Sequence, residues 1–144
     1  MAVRREGSKL CVTYPVRGYH TDVNGHVNNA QYLHYLEAAR DDFVTFLGIT
    51  IPEIMERRLS IVLSEVRLKF IQPARFGDQI DVWGWLSELG RVAASWTMEI
   101  RRAGAGELLA EAWLRAAFVN ERGRVIPIPP DMRARLETIY LITG

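Results

Sequence analysis

Apolar and polar positions alternate along this chain in two distinct periods. Leu10, Val12, Tyr14 and Val16 alternate with Cys11, Thr13, Pro15 and Arg17, the period of two that marks a half-buried strand. Pro15 cannot donate to a ladder, so an edge or a bulge is expected there. A polar loop, His20 to Asn28, follows, and then the period changes. Tyr32, Leu36, Ala39, Phe43 and Phe46 recur at helical spacing, flanked by Leu33 and Leu47. Glu37, Arg40, Asp41 and Asp42 supply a wetter face. Asn28 and Gln31 have the spacing of a capping box, and Gly48 can end the helix. This predicted helix of about five turns is the longest regular element in the sequence.

Pro52 to Leu59 predicts a short helical or irregular link. The period of two then returns. Val62, Ser64, Val66, Leu68 and Phe70 alternate with Leu63, Glu65, Arg67 and Lys69. Pro73 and Gly77-Asp78 mark a break, and Asp81 to Leu86 forms the next strand, with Trp83 and Trp85 on one face. Leu89-Gly90 and Gly104-Ala105-Gly106 are turns on either side of an alternating run from Val92 to Arg101. Leu108, Ala110, Ala112, Leu114, Ala116 and Phe118 form one face of a last long strand. A tail with Pro127, Pro129 and Pro130 leads into a predicted helix from Asp131 to about Tyr140. The order is strand, long helix, then four strands in meander. It predicts an α+β architecture in which the helix buries its apolar face on the concave side of an antiparallel sheet. The small residues Ala110, Ala112 and Ala116 offer room for close approach.

Composition narrows the classes. The 144 residues suit a single domain over 1–144. The 18 basic and 17 acidic residues leave a net charge of +1 with no basic run, which argues against a nucleic-acid partner. Met1 to Lys9 lacks the apolar core of a signal peptide, and no apolar run approaches a membrane span. One cysteine, Cys11, excludes an internal disulfide and fits a reducing compartment, so a cytoplasmic location is expected. Cys11 sits in an apolar strand without an activating partner and is expected to be buried and inert. The three His and one Cys show no metal-ligand spacing, and no metal or other cofactor is expected.

The chemistry concentrates before the helix. Asp22, Asn24, His26, Asn28 and Asn29 fall within eight residues around Gly25. The helix that follows opens its first N–H groups toward this loop, an arrangement that favours negative charge. Loops before helices are rich in Asp, Asn and Gly for capping alone. However, Asp22 lies six residues before the N-cap, and His26 has no capping role. On the residues alone, capping and catalysis both stay open. His20 is expected to be structural or exposed at the border of this loop, and His34 solvated. The four Trp are expected in packing roles.

The run from Val16 through Asn29 to Arg40 closely resembles the hot-dog-fold thioesterases of the 4-hydroxybenzoyl-CoA thioesterase family, in particular the long-chain acyl-CoA branch. Val66 to Asp78 resembles that family's second strand and its Pro-containing turn. The resemblance implies a hot-dog fold, an antiparallel sheet wrapped around one long central helix. It implies hydrolysis of a medium- to long-chain acyl-CoA, with Asp22 as general base or nucleophile and Asn24 and His26 as helpers. It further implies substrate contacts at Gly25, Val27 and Asn29, with the Asn29 N–H binding the thioester oxygen. A homodimer or homotetramer with sites at the subunit interface is implied as well. Plant acyl-carrier-protein thioesterases share Asp, Asn and His at the spacing of Asp22, Asn24 and His26, which makes the carrier protein an alternative substrate. Their additional glutamate has no match here: Lys69 falls near its place and Glu65 lies earlier. Glu37, the nearest equivalent of a second carboxylate on the helix in some members, is expected to be solvated or paired. Related hydratases separate Asp and His by four residues, whereas three separate Asp22 from His26. A non-hydrolytic acyl-thioester-binding protein is the remaining alternative.

Overall fold

The computed structural model describes residues 2–141. Six strands form one antiparallel sheet: β1 (Val3–Glu6), β2 (Lys9–Pro15), β3 (Ser60–Phe70), β4 (Gln79–Leu89), β5 (Ala93–Arg102) and β6 (Leu108–Val119), in the order β1-β2-β4-β5-β6-β3. The helix α1 (Asn29–Phe46) lies on its inner face, α2 (Ile51–Glu56) links α1 to β3, and α3 (Pro130–Glu137) closes the tail. The expected α+β hot-dog architecture is therefore present.

One stripe of α1 seats the helix. Tyr32, Tyr35, Leu36, Ala39 and Phe43 are buried against Leu10, Val12, Ile80, Val82 and Met98 of the sheet. A close approach falls on β4. A Cβ added to Gly84 would stand 2.7 Å from the Phe43 ring. Room for the helix was expected from the alanines of the last strand, and Ala110, Ala112 and Ala116 are buried on the inner face; a glycine of β4 adds a close approach. Phe43 also stacks on Trp96, with ring centroids 6.0 Å apart. Phe46, expected on the buried stripe, is exposed and lies under the Arg5 guanidinium. The buried stripe ends one turn earlier, at Phe43.

Four further expectations are corrected. The four later strands are not a simple meander: only β4, β5 and β6 are. β3 pairs with β6 at the far edge, and β4 pairs with β2. The chain crosses the sheet on α1 and α2, forms β3 there, and returns through residues 71–78. Alternation reveals a strand but not its neighbour. Second, the charged N-terminal stretch contributes β1, whose ladder covers only Lys9–Val12 of β2. Pro15, at the end of β2, therefore faces no β1 residue, as its missing donor requires.

Third, the alternation through β3 changes parity. A bulge between Leu63 and Glu65 places Ile61 and Leu63 opposite Phe118 and Ala116, and Val66, Leu68 and Phe70 opposite Leu114, Ala112 and Ala110. All five share the inner face, so Val62 does not belong with Val66. Fourth, α3 ends at Glu137, and Leu141 then donates its N–H to Leu86 O at 2.9 Å.

The outer face carries the other three tryptophans. Arg4 lies over Trp83, Lys9 over Trp85 at 4.3 Å and Arg67 over Trp113 at 4.8 Å. Cys11 is buried, and burial pushes its thiol up to about 12, so it stays protonated.

Gly84→Ala should destabilise the fold by roughly 1–3 kcal/mol, because the fully buried Phe43 ring has nowhere to move. Urea denaturation followed by circular dichroism measures this; an unchanged midpoint would show that the helix seat is adjustable.

Candidate functional site

The loop between β2 and α1 is built by backbone hydrogen bonds. A short helical turn, Gly18–His20, carries the chain out of β2. Thr21 and Val27 then bridge as an antiparallel pair, and Asp22 to His26 closes a small hairpin. Asp22 N–H donates to His26 O at 2.8 Å, and Gly25 N–H to Asp22 O at 3.0 Å. Gly25 sits at φ 75°, which the turn requires and a side chain would resist. The Asp22 Oδ1 accepts the Asn24 N–H at 2.9 Å, an Asx turn that fixes the carboxylate against its own loop.

The hairpin is then tied to the β3–β4 crossing. Val27 N–H donates to Ala74 O at 2.9 Å, Phe76 N–H donates to Gly25 O at 3.2 Å, and His26 bridges Arg75. Tyr32 Oη accepts the buried Ala74 N–H at 3.0 Å, joining the same crossing to the first turn of α1. The crossing is itself held by Asp78, which accepts from Arg75 N–H and pairs with Arg102.

The helix start differs from the expected capping box. Asn28 is the N-cap, but its Oδ1 accepts from Ala30 N–H at 3.0 Å. The Gln31 side chain pairs with His34 instead of reaching back. Gln31 N–H goes to Asn28 O. Asn29 N–H, two residues ahead, has no partner among the described residues. It is the open donor at the positive end of an 18-residue helix.

Asp22, His26, Val27, Asn29 and Tyr32 line one cleft of about 240 Å³ with Phe70, Ile71, Gln72 and Pro73. The fold thus brings together four of the six residues expected at the site. Asn24 and Gly25 do not line the cleft: Asn24 contributes its N–H to Asp22, and Gly25 makes the turn. Glu37 lies farther along α1, in a groove with Arg40 and Asp41. Glu65 and Lys69 sit on the outer face of β3, where Glu65 pairs with Arg67. Neither can take the place of the plant enzymes' extra glutamate. Tyr32 and residues 70–73 are the site residues that sequence reasoning missed. Tyr32 looked like an ordinary core position of the helix, Phe70 like the end of a strand and Pro73 like a break.

With this geometry in hand, the chain can be set beside known proteins. The family model of the thioesterase-like superfamily matches residues 16–136. The chain belongs to that superfamily, whose named relatives here are thioester hydrolases. It is 28% identical over 127 residues to the long-chain acyl-CoA thioesterase FadM of Escherichia coli, covering 85% of this chain and 92% of that protein. It is 29% identical over 124 residues to a chloroplastic acyl-acyl carrier protein thioesterase of Arabidopsis thaliana. That match covers 86% of this chain but only 65% of the plant protein. A hypothetical protein from Thermus thermophilus has a similar crystal structure, with a TM-score of 0.83, 32% identity, and coverage of 92% and 98% of the two chains.

Tyr32→Phe should cost about 1–3 kcal/mol, since it strands the buried Ala74 N–H. Faster hydrogen exchange at Ala74, with Val27 less affected, is the expected signature; equal protection at both amides in the variant would show the tie is dispensable.

Proposed function

We propose that this chain hydrolyses acyl-CoA thioesters, with Asp22 as the reacting carboxylate and Asn29 N–H as the donor to the carbonyl oxygen. The observation that carries this reading is their meeting in one cleft at the start of α1. A thioester carbonyl seated between them would face a carboxylate on one side and an open N–H at the helix's positive end on the other. Attack at the carbonyl carbon moves negative charge onto the oxygen, where a fixed donor acts. Asp22 either takes a proton from water or attacks directly to form an anhydride that water then opens. The thiolate of CoA leaves and the free acid follows. Asn24 orients the carboxylate through its backbone N–H. His26 and Val27 line the cleft beside it. The apolar inner residues of β3, from Phe70 toward Leu63, run from the cleft along α1 and suit a medium or long acyl chain.

The protein is proposed to work as a homodimer through β3, with each cleft at the interface. β3 is an edge strand of 11 residues, long for an edge left unpaired. Its inner side chains Ile61, Leu63 and Phe70 remain 37%, 41% and 46% exposed. Beside them Arg40 is largely shielded from solvent, and its Nε has no hydrogen-bond partner among the described residues, although Glu37 and Asp41 flank it. A second copy would supply both the missing strand and oxygen acceptors. The proposed compartment is the cytoplasm, which agrees with a lone protonated Cys11. No helix among the described residues is long and apolar enough to cross a membrane.

Release of free thiol from aromatic, short, medium and long acyl-CoAs tests the activity, with the highest kcat/KM expected on the longer chains. Asp22→Asn should lower kcat by at least about 10²-fold; wild-type rates in that variant would remove Asp22 from the mechanism. Acyl-carrier-protein substrates run in parallel decide the carrier, since the plant relative is named for that substrate. In sedimentation, the wild-type chain should run as a dimer or larger, and Leu63→Glu should shift it toward monomer; a wild-type monomer would exclude the β3 interface.

A further inference from the structure

His20 lies outside the cleft, yet it holds three separate pieces of the loop. Its Nδ1 accepts the Arg17 N–H at 3.1 Å and faces the Tyr35 hydroxyl at 2.8 Å. A backbone N–H can only donate, so Nδ1 carries a lone pair and the ring proton is on Nε2. The Tyr35 hydroxyl is therefore a donor too. Through its backbone, His20 donates its N–H to Arg17 O at 3.0 Å and accepts the N–H of Asn28, the helix cap, at 2.9 Å. One residue thus joins the turn that leaves β2, the cap of α1 and the second turn of α1. Asp22 follows two residues later.

The anchor on the helix side is rigid. Tyr35 is buried, its ring set edge-on to both His20 and Tyr32 and stacked near Tyr14, which in turn donates to Asp42 at 2.5 Å. Tyr32 holds the other wall of the cleft through Ala74. The loop and the wall are thus referred to the same pair of tyrosines.

We propose that His20, in its neutral form, is a positioning residue for the Asp22 hairpin, and that protonation of its Nδ1 releases the hairpin. This rests on the assignment of Asp22 above. A proton on Nδ1 would point at the Arg17 N–H and abolish that hydrogen bond, and it would force the Tyr35 hydroxyl to turn from donor to acceptor. The surroundings oppose that proton. Burial, with the Arg17 guanidinium and then His34 nearby, lowers the His20 pKa below the ordinary 6.5. The other titratable groups around the ring are the phenols of Tyr19, packed at 4.4 Å, and Tyr35, whose own pKa burial raises to about 12. Of the carboxylates on these elements, Asp42 is engaged by Tyr14 and Asp22 by the Asn24 N–H. Because the folded state binds this proton less readily than the unfolded state, the ordering is complete above pH 6.5 and is lost as pH falls through the lowered value.

His20→Asn supplies an oxygen in place of Nδ1 and does not titrate. It should keep near-wild-type kcat on the best acyl-CoA above neutrality and lose the wild-type fall in kcat on the acid side. His20→Phe has no acceptor. It should lower kcat about tenfold, the equivalent of one hydrogen bond, with KM changed less than about twofold. Tyr35→Phe should give a smaller loss in the same sense. Superimposable pH profiles for wild type and His20→Asn, or full kcat in His20→Phe, would overturn the proposal. Asp22→Asn is measured alongside. If it is inactive while the profiles coincide, only the role of His20 fails. If it retains wild-type rates, the assignment of Asp22 fails and His20 has nothing to position.

Discussion

The Phe43 ring against Gly84 sets the depth at which one helix can lie on a six-stranded sheet. Any side chain on that residue of β4 would lift α1 away from the strands, and the buried stripe from Tyr32 to Phe43 would lose its partners together. Fixing the helix along this line also fixes its N-terminus, which arrives next to the crossing at residues 74–76. The cleft is therefore a consequence of core packing: its helix wall cannot move unless the core moves. This is the usual arrangement of reacting groups on loops held by a stiff scaffold.

Within that frame the loop is specified mainly by backbone hydrogen bonds. Asp22, Gly25, Val27 and Asn28 each place their N–H on a carbonyl, and those carbonyls belong to the hairpin, the crossing or the turn before it. Side chains add local ties: Thr21 Oγ1 donates to Gly18 O and Asn28 Oδ1 caps α1. The Asp22 carboxylate is held at one oxygen by Asn24 N–H, and His20 spends its Nδ1 on the loop. Asn24 and His20 therefore tie the chain on the two sides of that carboxylate in sequence.

Much of this was legible in the sequence, for reasons specific to each element. The helix from Asn29 announces itself by the spacing of Tyr32, Leu36, Ala39 and Phe43, because only one face meets the sheet. β5 and β6 alternate cleanly because each has one dry face and one wet face. β1 was hidden: Val3-Arg4-Arg5-Glu6 has the charged composition that an edge strand tolerates and a core strand does not. The position of β3 was hidden because pairing between distant segments leaves no mark in local periodicity. At the site, the residue types around Asp22 left capping and catalysis both open, and family resemblance supplied the proposed reaction. The contributions of Tyr32 and of residues 70–73 depend on the crossing folding back onto the helix start, a long-range event that no local pattern encodes.

The bulge at Ser64 has a consequence for how this chain can vary in length. Side chains in a strand change face with every residue, so one residue more or less reverses everything beyond it. The bulge already uses one such step to keep Ile61 and Leu63 on the same side as Val66, Leu68 and Phe70. Removing Ser64 itself would join Leu63 to Glu65 in regular pairing and keep both halves facing as they do, but a residue added beside the bulge would leave one half of β3 inside out, with its apolar side chains among Arg67, Lys69 and Trp113 or its charged ones under α1. The turn at Gly104-Ala105-Gly106, where two glycines carry positive φ and no packed neighbour stands close, has no such parity to keep. Changes of length among relatives should therefore gather at that turn, and within β3 the one residue that can be lost without inverting its neighbours is the one in the bulge, which sets the boundary between the parts of this fold that can drift and the part that must be copied residue for residue.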